Sequence, residues 1–203
     1  MIFDVNLDFE ALNEAFLDEL EDIIDEYNIH FFLIHPKNKE ELEDVKKYVQ
    51  EHPKLYHSIP ASQYNGDSGE AIAIYLDKIT SLYKLHQTDL PVIVESNMLD
   101  GALEITLEKM PNKVIVLDAD KKLLQKGSFY CLLHESEYTN ELELFKDLDL
   151  SMLLLSSNFP NNEFSLMYEQ LTAVSDITFR AEQTIMNNIV KTSLECFNIK
   201  YLT

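Results

Sequence analysis

The stretch "MLLLSSNFP", Met152–Pro160, carries the pattern on which the fold prediction depends. Its four successive apolar residues are typical of a short strand that is covered on both faces, as the strands of a parallel sheet are. Two serines and an asparagine follow directly. In enzymes built from parallel strands the catalytic groups lie at the carboxyl ends of the strands, where an acid is expected. Here that place holds two hydroxyls and an amide.

Runs of the same kind recur along the chain and alternate with amphipathic segments. The other strand-like runs are 1–5, 29–34, 55–60, 91–95, 113–118 and 128–133. Apolar residues recur with a helical period over 8–27, 38–51, 68–87, 98–110, 139–147, 161–175 and 181–198. Such alternation predicts an α/β fold. Since no Pro- or Gly-rich linker divides the chain, we expect one domain that spans residues 1–203.

The number of strands favours a TIM-like (β/α) barrel over an open sheet, although about 200 residues is the lower size limit for eight units. The chain then has either seven strands or a distorted eight in which the fourth βα unit is shortened. Residues 70–77 decide between the two, because they fit a fourth strand or part of a helix. Only four glycines occur and no Gly-rich phosphate loop, which argues against a nucleotide-binding doubly wound fold.

The charge of the chain restricts its partners. The formal net charge is −20, and no basic patch offsets it, so the chain repels phosphate backbones and we expect no nucleic-acid partner. No signal peptide begins the sequence, and no apolar run approaches the roughly 20 residues that span a bilayer. Cys131 and Cys196 match no metal-binding spacing and are interpreted as reduced thiols. We therefore expect a cytoplasmic protein without membrane contact.

Three longer segments show a familiar order of motifs: 90–96 ("LPVIVES"), 126–160, and the closing 163–199. They contain a Gly-aromatic strand at Gly127 to Tyr130, the strand end at 156–160, and a last helix with Asn188 before Phe197. In this order the chain resembles the TatD-like metal-dependent hydrolases, amidohydrolase-type barrels with deoxyribonuclease members, and above all their short bacterial form. The resemblance implies a (β/α) barrel.

The resemblance also implies phosphodiester hydrolysis by one or two divalent metals that activate a water molecule. The family's ligands are a His-x-His pair on the first strand, Glu on the fourth, His on the fifth and sixth, and Asp on the eighth. In this sequence Asn6 and Asp8 replace the first two histidines, and Glu95 replaces the third. The position of the family's sixth-strand histidine falls near Leu117 or Asp118. Asn158 replaces the aspartate of the eighth strand, and the glutamate of the fourth strand has no clear counterpart.

Because no position keeps its family residue, we predict a degenerate barrel that has lost metal-dependent phosphodiesterase or DNase activity and needs no cofactor; the sequence leaves open whether it keeps any other enzymatic activity. It would act as a binding or scaffolding protein for an unknown protein or small-molecule partner. The vestigial site at the barrel mouth comprises Asp4, Asn6, Asp8, Glu95, Asp118 and Asn158. A candidate pocket adds His35, His134 and Ser156.

Two alternatives remain. A nuclease or phosphoesterase with a rebuilt carboxylate-rich site would hold Mg, Mn or Ca through Asp4, Asp8, Glu95 and Asp118, because hard cations prefer oxygen ligands. A small-molecule pocket at the same mouth would instead use Asn6, His35 and Asn158. The metal-dependent hydrolase requires these carboxylates to converge in space, whereas the binding protein and the small-molecule pocket do not.

Several of these residues also have simpler interpretations. Asp8 precedes the first amphipathic segment and is a natural N-cap, whereas Asp4 has no such role. Glu95 is expected to be solvated, and His35 and His134 are expected to be solvated loop residues rather than an acid–base pair. No G-x-S-x-G elbow surrounds the two serines after the last strand, which argues against a serine hydrolase.

Overall fold

In the part of the chain that the structure describes, eight parallel strands follow one another in chain order and form a nearly closed barrel. Each strand pairs in parallel with the next. In the computed structural model, which describes residues 2–140 and 142–199, they are Ile2–Leu7 (β1), Ile29–Ile34 (β2), Leu55–Pro60 (β3), Ala73–Tyr75 (β4), Val92–Glu95 (β5), Val114–Ala119 (β6), Tyr130–Leu133 (β7) and Leu153–Leu154 (β8). The predicted TIM-like barrel is confirmed, in its distorted eight-stranded version.

The helices lie between the strands and after the last one. They are Glu14–Tyr27 (α1), Lys39–Glu51 (α2), Gly101–Glu108 (α3), Lys121–Lys126 (α4), Leu166–Thr178 (α5) and Glu182–Cys196 (α6). Short 3-10 helices occupy Phe9–Ala11, Ile79–Gln87, Ser96–Met98, Glu135–Tyr138, Leu142–Asp147 and Leu150–Met152. Over residues 2–140 and 142–199, none of the helices has the length and hydropathy that a bilayer crossing requires.

The predicted first helix, 8–27, divides into a 3-10 turn and α1. The division falls at Asn13, whose side-chain oxygen accepts a hydrogen bond from the backbone N–H of Phe16 and so begins a new helix. Helix α4 was not among the predicted segments, because its six residues are too few to show a helical period.

The prediction of a helix over 68–87 is wrong. Residues 73–75 form β4, which pairs with β3 on one side and β5 on the other, and a 3-10 helix follows at Ile79–Gln87. Ala73 and Tyr75 belong to the cluster inside the barrel, whereas Ile74 packs in the layer beneath the helices. Strand pairing on both sides satisfies the backbone groups of this segment, and it therefore outweighs the local helical pattern.

The core has two layers, one inside the barrel and one between the barrel and the helices. Strand β2 shows the alternation: Phe31 and Leu33 face the interior, whereas Phe32 and Ile34 pack under the helices. Because both layers are apolar, the strands are apolar at successive positions, which explains the runs in the sequence.

Backbone hydrogen bonds connect the ends of β1 and β8 and close the barrel. The N–H of Val5 donates to the carbonyl of Leu155 at 3.4 Å, and the N–H of Asp8 donates to the carbonyl of Phe159 at 3.1 Å. The peptide bond between Phe159 and Pro160 is cis. These two contacts bring the strand end at 156–158 beside β1.

Side chains complete this seam around the buried carboxylate of Asp4. Ser156 Oγ donates to Asp4 Oδ1 at 2.8 Å, and Ser157 Oγ donates to Asp4 Oδ2. The carboxyl group of Asp4 is inaccessible to solvent, and burial raises its pKa, while the hydroxyls of Ser157 and Ser156 act in the opposite direction. The two hydroxyls after β8 therefore help to close the barrel.

We expect Phe32→Ala to lower the free energy of unfolding by about 3–5 kcal/mol, because the ring is fully buried and leaves a cavity. The matched control is Phe179→Ala, since that ring is 86% exposed and its loss should change stability by about 0.5 kcal/mol at most. Urea denaturation measures both values. Equal losses in the two variants would contradict this packing.

We expect Ser157→Ala to destabilise the protein by about 1–3 kcal/mol at neutral pH, because the buried Asp4 carboxyl loses a donor. Above its ordinary pKa of 3.8, a carboxyl whose folded pKa is raised costs stability as the pH rises. The loss of unfolding free energy in the variant should therefore be smaller at acidic pH than at neutral pH. Ser128→Ala is the control, because that serine is exposed, and urea titrations of both variants at several pH values give the comparison.

Candidate functional site

Two adjoining cavities open at the carboxyl ends of the strands. The amide cavity, of about 190 Å³, is lined among others by Ser156, Asn162 and Gln170. The tyrosine cavity, of about 210 Å³, is lined among others by Tyr75 and Glu95. Four residues border both cavities: Asn6, Asp118, Asn158 and Asn161. The two cavities together form the barrel mouth.

Most of the predicted site residues lie around this mouth. The tyrosine cavity takes in Asn6, Asp8, His35, Glu95, Asp118 and Asn158, and the amide cavity adds His134 and Ser156. Asp4 lines neither cavity and lies in the seam between β1 and β8. Asp118 and Asn158 both adopt the left-handed conformation, with φ of 52° and 55°. Asp and Asn tolerate this conformation better than most residues that carry a side chain.

The tyrosine cavity centres on a hydrogen-bonded pair. Tyr75 Oη donates to Glu95 Oε1 at 3.0 Å. Burial raises the pKa of Tyr75, and the charge of Glu95 raises it further. Burial also raises the pKa of Glu95, against the lowering effect of the Tyr75 hydroxyl. Tyr75 escaped the sequence analysis because residues 70–77 were left open between a fourth strand and part of a helix, so no strand end could be placed there.

His35 is not a solvated loop residue, and that prediction is wrong. Its side chain is buried at the end of β2, where Nε2 donates to the carbonyl of Val5 at 2.9 Å and Nδ1 accepts from Ser58 Oγ at 3.1 Å. The imidazole also stacks on the ring of Tyr75. Burial lowers the pKa of His35 to about 4, so the ring is neutral at neutral pH. In contrast, His134 is exposed and accepts a bond from the N–H of Ser136.

Asp8 has the capping role that the sequence predicts, although on a different helix. Its Oδ1 accepts a hydrogen bond from the N–H of Glu10 at 3.0 Å and so begins the 3-10 helix that precedes α1. Its Oδ2 lies 3.9 Å from Lys37 Nζ, the ammonium group at the rim of the tyrosine cavity. The Asp8 carboxylate is thus engaged with local partners.

The donor set of the mouth does not fit the metal centre that the resemblance implies. Both oxygens of Asp4 accept serine hydroxyls, and Glu95 holds the hydroxyl of Tyr75. Within 2–140 and 142–199, no three His, Cys, Asp or Glu side chains come close enough to hold a metal ion. The four carboxylates of the alternative site, Asp4, Asp8, Glu95 and Asp118, therefore do not form one ligand group.

The amide cavity is rich in neutral donors and acceptors. Asn6 Nδ2 lies 3.4 Å from Asn158 Oδ1, and Asn162 adds a further amide. Gln170 reaches the cavity from α5, and its side chain is only 5% exposed. Sequence analysis missed Gln170. The signal was a polar residue on the buried face of α5, next to Leu171.

Comparison with known proteins finds neighbours in structure only. No protein-family model and no curated protein matches the sequence. A TatD homologue from Escherichia coli k12, YJJV, superposes with a TM-score of 0.70 at 13% identity, over 98% of this chain and 98% of that one. A hydrolase of the TatD family from Entamoeba histolytica gives 0.69 at 12% identity, over 96% and 97% of the two chains.

A third neighbour comes from the wider group. An uncharacterized amidohydrolase from Saccharomyces cerevisiae superposes with a TM-score of 0.68 at 10% identity, over 96% of this chain and 99% of that one. At identities this low the likeness concerns the backbone. The resemblance predicted from the order of motifs is thereby confirmed, and the chain has the fold of the TatD-like hydrolases.

Proposed function

We propose that this chain is a binding protein that takes up a small polar molecule at the barrel mouth and does not hydrolyse phosphodiesters. The observation that carries the proposal is the pairing of the strand-end side chains with one another. Asp4 is held by two serines, Glu95 by Tyr75, and Asn6 by Asn158. Carboxylates that close the barrel or hold a phenol are not available as an open ligand set.

Acid–base chemistry finds little support at the mouth. The buried histidine, His35, has both ring nitrogens engaged, by Val5 and Ser58, and its lowered pKa keeps it neutral. Without a group that lowers the pKa of water, water is a poor nucleophile at neutral pH. Among the described residues that line the mouth, these contacts favour binding and orientation of a ligand over activation of water for hydrolysis.

The charge of the mouth also disfavours nucleic acid. Carboxylates from Asp8, Glu95 and Asp118 line the tyrosine cavity against one ammonium group, that of Lys37. The net charge of the whole chain has the same sign. A phosphodiester backbone would be repelled both at long range and at the mouth. This supports an uncharged or cationic ligand.

Titration of the metal-stripped protein with Mn²⁺, Zn²⁺ and Mg²⁺ tests the proposal. We expect calorimetry to detect no binding at millimolar metal, and we expect no hydrolysis of single-stranded DNA or of a chromogenic phosphodiester above background, because the carboxylates are engaged. Glu108→Gln is a surface control for Glu95→Gln. Tight metal binding and hydrolysis that Glu95→Gln abolishes and Glu108→Gln preserves would instead establish the carboxylate-rich hydrolase.

The buried neutral state of His35 makes stability depend on pH. Because its folded pKa of about 4 lies below the ordinary 6.5, the stability present above pH 6.5 is lost as the pH falls toward 4. The shift corresponds to a loss of about 3 kcal/mol. Urea denaturation across this range should show a flatter slope for His35→Asn than for the unmodified chain.

His134→Asn provides the control for this measurement, because it replaces an exposed imidazole and leaves the buried one in place. The NMR signals of the His35 imidazole give an independent reading that does not depend on a folded variant. Their titration near the ordinary pKa of a histidine would contradict the buried neutral state.

A further inference from the structure

We propose that the amide cavity binds a small uncharged polyhydroxy compound, of the size of a monosaccharide or cyclic polyol, and that Gln170 is a ligand-contacting residue. The inference rests on the proposed binding role and deepens it by naming the ligand class. It starts from one side chain whose hydrogen-bonding groups face the cavity.

Gln170 is the unusual residue of this cavity. It lies on the buried face of α5, where its neighbours on that face include Met167, Leu171 and Val174. The residue is only 5% exposed and lines the amide cavity, and within residues 2–140 and 142–199 no side chain or backbone group makes a hydrogen bond to its amide. The amide nitrogen and oxygen are not among the fully buried polar atoms that lack a partner, so they keep access to the cavity. A molecule bound there can replace water as their hydrogen-bond partner.

The neighbouring side chains suit hydroxyl groups. Asn6, Asn158 and Asn162 present amides to the same cavity, and Ser156 lies at its wall. Each amide offers both an acceptor oxygen and donor hydrogens, and a hydroxyl group also donates and accepts. A polyol can therefore satisfy both the donors and the acceptors of these side chains. A ligand with donors alone or acceptors alone would leave part of them without a partner.

The charge of the cavity disfavours anionic ligands. The cavity is bordered by the carboxylates of Asp118 and Glu135, and no Lys or Arg is among its described lining residues, so a phosphate or carboxylate would be repelled. Its apolar wall consists of Leu132, Leu133 and Leu166, and the one ring among the described lining residues is the imidazole of His134.

The size of the cavity suits a small ligand. Its volume is about 190 Å³ and it opens to solvent, so one sugar ring or a short polyol can enter it, and a longer ligand would extend beyond it.

Calorimetric titration of the metal-stripped chain tests this ligand class. The neutral probes are D-glucose, myo-inositol and glycerol, and the charged probes are putrescine and glucose 6-phosphate. We expect at least one neutral probe to bind at millimolar concentration, and glucose 6-phosphate to bind at least about tenfold more weakly than glucose because of the two carboxylates. Binding of only a charged probe, or no binding of any neutral probe, overturns the inference.

Gln170→Leu tests the residue itself, with the exposed Gln125→Leu as the matched control. We expect Gln170→Leu to weaken binding of the neutral probe by about tenfold or more, because hydroxyl groups of the ligand lose their partner. Its melting temperature should change little, because the amide makes no hydrogen bond within the described residues and leucine suits the apolar face of α5. A lowered melting temperature with unchanged affinity would give Gln170 a structural role and overturn the assignment.

Failure of this inference and failure of the proposed function give different results. Metal binding with hydrolysis that depends on Glu95 would refute the binding role, whatever the polyols do. An absence of both hydrolysis and polyol binding would refute only the ligand class. Gln170 lines the amide cavity, whereas Glu95 lines the tyrosine cavity, so the two sets of variants report separately.

Discussion

The buried carboxyl group of Asp4 is the constraint around which the barrel closes. It lies on β1, and its partners, Ser156 and Ser157, follow β8. A carboxyl group without hydrogen-bond partners is costly to bury, so the two strands must meet with these hydroxyls in place. Backbone bonds of Val5 and Asp8 to Leu155 and Phe159 join the same strand ends, and the side chains of the seam add to them.

This closure also determines the chemistry of the mouth. Once Ser156 and Ser157 are held by Asp4, the next residue, Asn158, lies beside Asn6 with its backbone in the left-handed conformation. The chain then continues into α5, which brings Gln170 to the same cavity. In the family that the sequence resembles, this strand end would present an acid to a metal. Here the polar groups of the strand end bind to one another, and the amides that remain face the cavity.

The two halves of the mouth differ in their chemistry although they share a border. The tyrosine cavity contains Tyr75, Glu95 and His35, which are held by hydrogen bonds or ring stacking, and burial favours the uncharged state of each. The amide cavity contains Gln170, an amide without a protein partner in the described part of the chain. Groups with partners maintain the shape of the mouth, and a group without one is free for a ligand. This difference is the physical basis for placing the ligand on the amide side.

The sequence by itself determined the barrel, because strands that are covered on both faces must be apolar at successive positions, as Phe31 to Ile34 are. It also located the strand ends, and with them most residues of the mouth. Tertiary structure alone decided that residues 73–75 pair as a strand, since the partners of β4 lie 15 residues before it in β3 (Ser58 with Ala73) and 18 residues after it in β5 (Ile74 with Val92). It alone decided that His35 is buried and neutral, that Asp4 belongs to a seam, and that Gln170 faces a cavity. Each of these facts depends on partners that are distant in sequence, and such partners cannot be inferred from the local pattern around a residue.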